Sequence, residues 1–107
     1  MIFSIAKQYT DTPGPRYKRQ GEYSGEQFRE EYLEKMFSEY QTYRQTIEID
    51  LDGTYGYPTS FLEEAFGGLA RKYPESEVLA AFSFRATEQP SIVEEIKKDI
   101  LDARKSR

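Results

Sequence analysis

The sequence contains neither cysteine nor histidine in its 107 residues. Without cysteine the chain forms no disulfide bond and offers no thiolate to a metal ion. Without histidine it lacks the imidazole that most serine hydrolases and zinc enzymes use as a general base or metal ligand. These two absences exclude most serine-hydrolase and zinc mechanisms. A chain of this length is expected to fold around a single core, so residues 1–107 are predicted to form one domain.

Long apolar runs and an excess of basic residues are also missing. No segment approaches the roughly 20 consecutive apolar residues that a membrane-spanning helix needs. The first ten residues, MIFSIAKQYT, have neither the basic start nor the long apolar centre of a signal peptide. The net charge of −4 argues against binding to the phosphate backbone of nucleic acids. We therefore expect a cytoplasmic protein that contacts neither membranes nor nucleic acids.

Helical spacing is clearest in the first half of the chain. Ser24 is followed three residues later by Gln27, a spacing typical of a capping box at a helix start. Aromatic and aliphatic residues then recur every three or four positions as far as Tyr40. The pattern predicts a first long helix over about residues 25–40. Aromatic residues make up 15% of the chain, which predicts a core rich in rings.

Three segments have the character of β-strands. IFSIAKQY, near the start, predicts a strand containing Ile2, Phe3 and Ile5. QTIEIDLDG alternates apolar and acidic residues, which indicates a strand with one covered face. EVLAAFSFR, residues 77–85, predicts a third strand. Residues 16–20 either form an additional strand or stay irregular.

Two more helices follow from the pattern. One begins at Thr59 or Ser60, because Ser60 and Glu63 have capping-box spacing ahead of an apolar stripe. The last begins near Ser91, by the same spacing. A glycine pair at positions 67 and 68 interrupts the earlier stripe at a cost of about 1 kcal/mol each relative to alanine. Either another element crosses the helix there, or the helix ends early.

The alternation of strands and helices predicts an α/β fold with three or four mostly parallel strands and helices mainly on one face. The segments PGPRYKRQGEYSGEQFREEYL and IDLDGTYGYPTSFLEEAFGGLA resemble the STAS-like domain family of unassigned function. That family is related to the sulfate-transporter and anti-sigma-factor-antagonist STAS domains, and the resemblance covers about residues 12–72. It implies a small sheet with helices on one face, in agreement with the pattern.

The resemblance also implies a function. It implies a non-catalytic regulatory module that docks onto an ATPase- or kinase-like protein partner. Antagonist domains carry a phosphate-accepting serine in an Asp-Ser-Ser-Gly-like motif at the start of the helix after the central strand. The two serines of that motif correspond here to Thr59 and Ser60, while Pro58 and Phe61 stand in the places of aspartate and glycine.

The predicted contact surface lies around this helix start. Its members are Tyr55, Tyr57, Thr59, Ser60, Glu63 and Glu64, with Arg16 and Arg19 as a weaker second patch. Thr59 is the favoured phosphate acceptor and Ser60 the expected helix cap. A helix N-terminus accommodates an anion. A phosphate beside Glu63 and Glu64 would repel a partner surface matched to those carboxylates. Such repulsion would act as a switch.

Two alternative functions stay open. The chain is acidic enough to be a small inhibitor, encoded by a phage or mobile element, that occupies a partner's basic groove. It could instead be an enzyme acting on a small anionic substrate, with Asp50 and Asp52 as acid–base groups. Together with Glu48 these residues offer the oxygen ligands that Mg²⁺ prefers. Residues on one face of a strand stand roughly 7 Å apart, so we expect no metal site and no cofactor.

Overall fold

The computed structural model describes residues 1–105 of the chain. Three parallel strands form one open sheet in the order β1–β2–β3. They are β1 (Ile2–Ser4), β2 (Ile47–Asp50) and β3 (Phe82–Arg85). The α/β class and the parallel pairing agree with the prediction from the sequence, and the QTIEIDLDG strand lies at the centre of the sheet.

The sheet is covered on one face. In the register, Phe3 pairs with Ile49 and Ile49 pairs with Phe84, so these three side chains point to the same side. Phe3 and Ile49 are buried there. On the opposite face Glu48 and Arg85 form an ion pair of 2.8 Å across β2 and β3, with Arg85 half exposed. This confirms the one-sided burial indicated by the alternating apolar and acidic residues.

Five helices lie within the described residues. They are α1 (Ile5–Gln8), α2 (residues 25–43), α3 (residues 59–72), α4 (Glu75–Ala81) and α5 (Ser91–Asp102). A 3₁₀ turn at Lys18–Gln20 takes the place of the optional strand at residues 16–20. Within residues 1–105, no helix is both long and apolar enough to cross a bilayer. The buried side chains of the helices and of the covered sheet face form one core.

The segment predicted as the third strand is half helix. Residues 75–81 form α4, and the strand begins only at Phe82. Val78 and Ala81 are buried while Ala80 is exposed, a spacing of three that fits a helix rather than a strand. Pro74 precedes the first turn, as proline often does at a helix start. The prediction of an uninterrupted strand at residues 77–85 was wrong because a short apolar run satisfies both periods.

Helix starts account for the other differences. Ile5 was expected in the first strand but begins α1, because the Ser4 hydroxyl accepts the Lys7 N–H at 3.2 Å and turns the chain. Ser24 is the N-cap of α2, as predicted, and its hydroxyl accepts the Gln27 N–H at 3.0 Å. The caps predicted at Ser60 and Ser91 were wrong. In α3 and α5 the preceding proline occupies the cap position, and both serines lie inside the helix.

Helix α3 continues through its glycine pair, so the crossing alternative was the correct one. A Cβ at Gly68 would collide with the guanidinium of Arg29, which reaches over from α2. A Cβ at Gly67 would lie 2.7 Å from a carboxylate oxygen of Glu63. Both α2 and α3 contain a π turn at this level, at Arg29–Leu33 and Glu63–Gly67. The glycines therefore leave room for charged side chains that pass between the helices.

A further glycine sets the distance between the same two helices. Gly25, the first residue of α2, lies so close to the Phe61 carbonyl of α3 that a Cβ there would collide with it. We expect Gly25→Ala to lower the free energy of unfolding by about 2–3 kcal/mol, because a backbone carbonyl cannot move aside. Urea denaturation measures this. The control Ser38→Ala, at an exposed position of α2, should change stability by less than about 0.5 kcal/mol. Equal effects of the two changes would contradict the close crossing.

Candidate functional site

The loop between β2 and α3 lies at the carboxyl end of the central strand, where open α/β sheets commonly bind ligands. Tyr55 projects from this loop with 87% of its surface exposed. Tyr57 turns inward, donates its hydroxyl to the Leu51 carbonyl at 2.9 Å and packs against Phe61. Burial raises the pKa of Tyr57. Of the two predicted tyrosine anchors, Tyr55 is exposed and Tyr57 supports the loop.

Asp52 ties this loop to the loop that follows β3. Its carboxylate accepts the Thr87 hydroxyl at 2.6 Å and the backbone N–H groups of Thr87 and Glu88 at 3.2 and 3.0 Å. The Glu88 carboxylate in turn accepts the Gly53 N–H at 2.8 Å. The N–H of Glu88 and the hydroxyl of Thr87 hold the pKa of Asp52 below its usual value. A small cleft of about 140 Å³ lies between the two loops.

The other strand carboxylates have local roles too. Asp50 accepts the Asp52 N–H at 3.0 Å and shapes the turn, and Glu48 pairs with Arg85 on the open sheet face. The described residues hold no group of three acidic side chains placed to share a metal ion. Each of the three carboxylates is therefore engaged by a different partner.

The start of α3 has two unused backbone donors. Pro58 is the cap residue, and its carbonyl accepts the N–H groups of Phe61 at 3.0 Å and Leu62 at 3.3 Å. Within residues 1–105 no hydrogen bond engages the N–H groups of Thr59 and Ser60. Thr59 is exposed and Ser60 is partly buried in the first turn. An exposed hydroxyl thus stands beside two free N–H groups, where the helix dipole also favours an anion.

The carboxylates of Glu63 and Glu64 in this helix are engaged by arginines of the same chain rather than by a partner protein. Glu64 is only 8% exposed, and its carboxylate pairs with Arg29 at 2.6 Å. Glu63 lies 2.6 Å from both Arg16 and Arg71. The prediction that these carboxylates point outward was wrong for Glu64. For Glu63 the prediction was incomplete, because this partly exposed carboxylate forms ion pairs with two arginines. Their partners come from α2, from the end of α3 and from the loop before α2.

The arginines therefore form one ion cluster with the glutamates rather than a second patch. Arg16 joins the cluster, whereas Arg19 stays outside it and stacks over the Tyr17 ring at 5.0 Å. Arg29 and Arg71 were not among the site residues predicted from the sequence. A signal for Arg29 was present: it lies four residues after Gly25 and four before Leu33, both buried, on the inner stripe of α2. A charged residue on that stripe requires a partner across the helix interface.

One carboxylate beside the cluster has a buried oxygen, Oδ2, with no hydrogen-bond partner within residues 1–105. It belongs to Asp99 of α5, whose backbone lies against Gly67 and whose carboxylate is near enough to Glu63 to be repelled by it. Burial, with repulsion from Glu63, raises the pKa of Asp99 to about 6. The cluster thus holds two carboxylates paired with arginines and one that repels them at neutral pH.

A comparison with known families assigns the chain to a family. The model of the STAS-like domain of unknown function (DUF4325) matches residues 24–91, more than half of the chain. The chain belongs to this STAS-like family. No curated protein and no solved structure matches it. The matched stretch starts at the Ser24 cap and contains the whole of the β2–α3 loop, α3 and β3.

Removing one buried member of the ion cluster tests its energetic role in this STAS-like domain. We expect Glu64→Gln to lower the free energy of unfolding by about 2 kcal/mol, because Arg29 keeps its charge and loses its carboxylate. The control Glu77→Gln breaks the exposed Arg44–Glu77 pair of 2.9 Å, which should cost about 0.5 kcal/mol or less. Chemical denaturation of both variants gives the comparison. Equal losses would contradict a structural role for the Glu64 pair.

Asp99 predicts a stability that depends on pH. Its pKa is about 6 in the folded chain against an ordinary value of 3.8, so the folded state binds the proton more tightly. Stability therefore falls as the pH rises between these two values, and the cost is fully present above about pH 6. We expect Asp99→Asn to stabilise the domain by about 1–2 kcal/mol at about pH 8. Thermal unfolding at about pH 8 and about pH 4 checks this, and the stabilisation by Asp99→Asn should vanish near pH 4. A gain that does not change with pH would contradict the prediction.

Proposed function

We propose that this STAS-like domain is a regulatory protein-interaction module that docks a protein partner through the β2–α3 loop and the first turn of α3. The observation that carries the proposal is the combination of an exposed ring and an exposed hydroxyl beside free backbone donors. Tyr55 supplies the ring and Thr59 the hydroxyl. Tyrosine is enriched among the residues that contribute most to protein–protein binding.

The surface is fixed in place before any partner arrives. Asp52 and Glu88 join the two loops, and Tyr57 anchors the loop to Leu51. The Tyr55 N–H also donates to the Asp11 carbonyl at 2.9 Å. A preorganised surface loses less conformational entropy on binding, so more of the contact energy appears as affinity. This favours a docking role for the loop over a role as a mobile linker.

Phosphorylation of Thr59 is the proposed switch, with a revised mechanism. The neighbouring glutamates are neutralised by arginines, so they do not oppose a phosphate as strongly as the sequence pattern implied. The free Ser60 N–H and the helix dipole would hold the phosphate at the helix start. The added charge of about −1.5 to −2 would then lie beside Tyr55, on the surface that the partner covers. The relation to antagonist domains supports an ATPase- or kinase-like partner.

The proposed enzyme and inhibitor alternatives gain no comparable support. Asp52 accepts three hydrogen bonds, and its lowered pKa suits a structural loop anchor better than a general acid. An inhibitor that fills a basic groove needs exposed acidic groups. Glu63 and Glu64 are instead occupied by arginines.

Quantitative affinity capture from the native cell tests the docking surface. We expect Tyr55→Ala to reduce recovery of the partner by about tenfold, because a central aromatic anchor is lost. The matched control is Tyr43→Ala, since Tyr43 is 71% exposed at the far end of α2. It should leave recovery unchanged. Equal recovery with both alanine variants would overturn the proposed surface.

The switch is tested separately with Thr59→Glu and Thr59→Ala, by the same capture. The glutamate variant should reduce partner recovery and the alanine variant should retain it, because only the former adds charge at the helix start. Mass spectrometry of the captured chain should detect phosphate on Thr59 in a fraction of molecules. Equal recovery with both variants would remove the switch and leave the docking surface intact.

A further inference from the structure

The outer edge of β3 has unpaired backbone groups. The Leu51 N–H donates to the Arg85 carbonyl at 2.8 Å, which fixes the residues of β3 that bond to β2. Alternate residues of a parallel strand bond to the same neighbour, so the N–H and carbonyl of Phe84 point the other way. Within residues 1–105 neither group has a hydrogen-bond partner. β3 therefore presents a strand edge that is ready to pair.

The opposite edge of the sheet is protected. On β1 the Ser4 N–H donates to the Gln8 side chain at 2.7 Å. That strand has only three residues and runs directly into α1. Natural sheets block exposed edges in such ways, because an open edge invites pairing with another chain. Because the β1 edge is blocked and the β3 edge is open, β3 is the edge at which a further strand can pair.

A groove of about 550 Å³ runs between the β3 edge and α5. Its apolar walls include Leu79, Phe84 and Val93, which are partly buried, and Leu101, which is 47% exposed. Val93, Lys97 and Leu101 are spaced four residues apart and share one face of α5. From Val93 to Leu101 the helix rises about 12 Å, the length of about four residues of a strand.

The spacing along α5 predicts the pattern of the occupant. Neighbouring groove residues of the helix are separated by a rise of about 6 Å, and alternate residues of a strand by about 6.6 Å. Every second side chain of an added strand would therefore meet one of the three helix residues in turn. The outer two positions are apolar and the middle position is Lys97. The matching segment has the pattern apolar–x–acidic–x–apolar.

Charge distinguishes such a segment from a second copy of this chain. Among residues 1–105, Lys97 is the one charged residue that lines the groove. A two-fold dimer joined edge to edge at β3 would place β3 of the second copy beside the groove, and the charged residue of that strand, Arg85, has the same sign as Lys97. Like charges in contact oppose association, whereas an acidic side chain at the same place neutralises Lys97.

We propose that the β3–α5 groove binds an extended, acidic-centred segment of a partner protein, which adds a fourth strand to the sheet at β3. Backbone hydrogen bonds to Phe84 supply the pairing, and the α5 residues select the sequence. This surface is separate from the β2–α3 loop, so the proposal does not depend on the docking function proposed above. It gives the domain a second, peptide-binding interaction.

A palindromic peptide tests the proposal, because it reads the same in parallel and antiparallel pairing. The probe is an acetylated, amidated seven-residue peptide with valine at positions two and six, glutamate at position four and threonine elsewhere. Its counterpart has lysine at position four. In NMR titrations of the ¹⁵N-labelled full chain, the glutamate peptide should shift the amides of Phe84, Val93 and Leu101. It should bind about fivefold more tightly than the lysine peptide, as one partly exposed charge pair allows.

Reversing the groove charge gives the decisive comparison. Lys97→Glu should make the lysine peptide the tighter ligand, while the control Lys98→Glu, on the exposed side of α5, should keep the original preference. Both positions are exposed, so circular dichroism should show folded proteins. Equal binding of the two peptides, no binding of either, or shifts confined to other surfaces would overturn the proposal. Sedimentation showing a dimer that buries the β3 edge would assign the groove to a second copy instead.

Discussion

The ion pair between Arg29 and Glu64 is the interaction on which the candidate site depends. It joins α2 to α3 at the level of their π turns, and Gly68 provides the space through which the guanidinium passes. Gly25 brings the same two helices into backbone contact one turn earlier. With both constraints in place, α3 has one position relative to the rest of the core. Its first turn, and the loop that leads to it, are held by that position.

The ion cluster also changes what the surface offers to a partner. The chain has a net charge of −4, yet the two glutamates nearest the helix start are matched by three arginines. The recognition proposed at this corner would therefore rest on an aromatic ring, a hydroxyl and backbone N–H groups, not on acidic charge. The proposed phosphate on Thr59 would add a negative charge where the nearest glutamates are already paired with arginines. Asp99 shows that the neutralisation is incomplete, since within the described part of the chain its Oδ2 atom has no hydrogen-bond partner, and Glu63 repels it.

The three-stranded sheet has two edges, and only one of them is blocked by other parts of the domain. A side chain bonds to the β1 edge, while β3 lies open beside an apolar groove. The β2–α3 loop lies at the carboxyl end of the sheet, and the groove lies along its side. With the two surfaces proposed here, the domain would be able to hold two proteins at once.

Part of this structure was determined by the sequence alone. Strong periodicity over many residues identified the parallel α/β fold, the Ser24 cap and the starts of α2 and α3, because a long amphipathic pattern buries well in one conformation only. The pattern placed the start of α3 at Thr59 or Ser60, and the helix begins at Thr59. The same reasoning failed at residues 77–85, where a short apolar run fits both the helical and the strand period. It failed again at Ser60 and Ser91, where a proline occupies the cap position in place of the expected serine.

The partners of Glu63 and Glu64 were decided by the tertiary structure, since Arg16 and Arg29 lie 47 and 35 residues away along the chain. Local spacing determines which face of a helix is apolar, but only the packing of distant segments determines which charges meet.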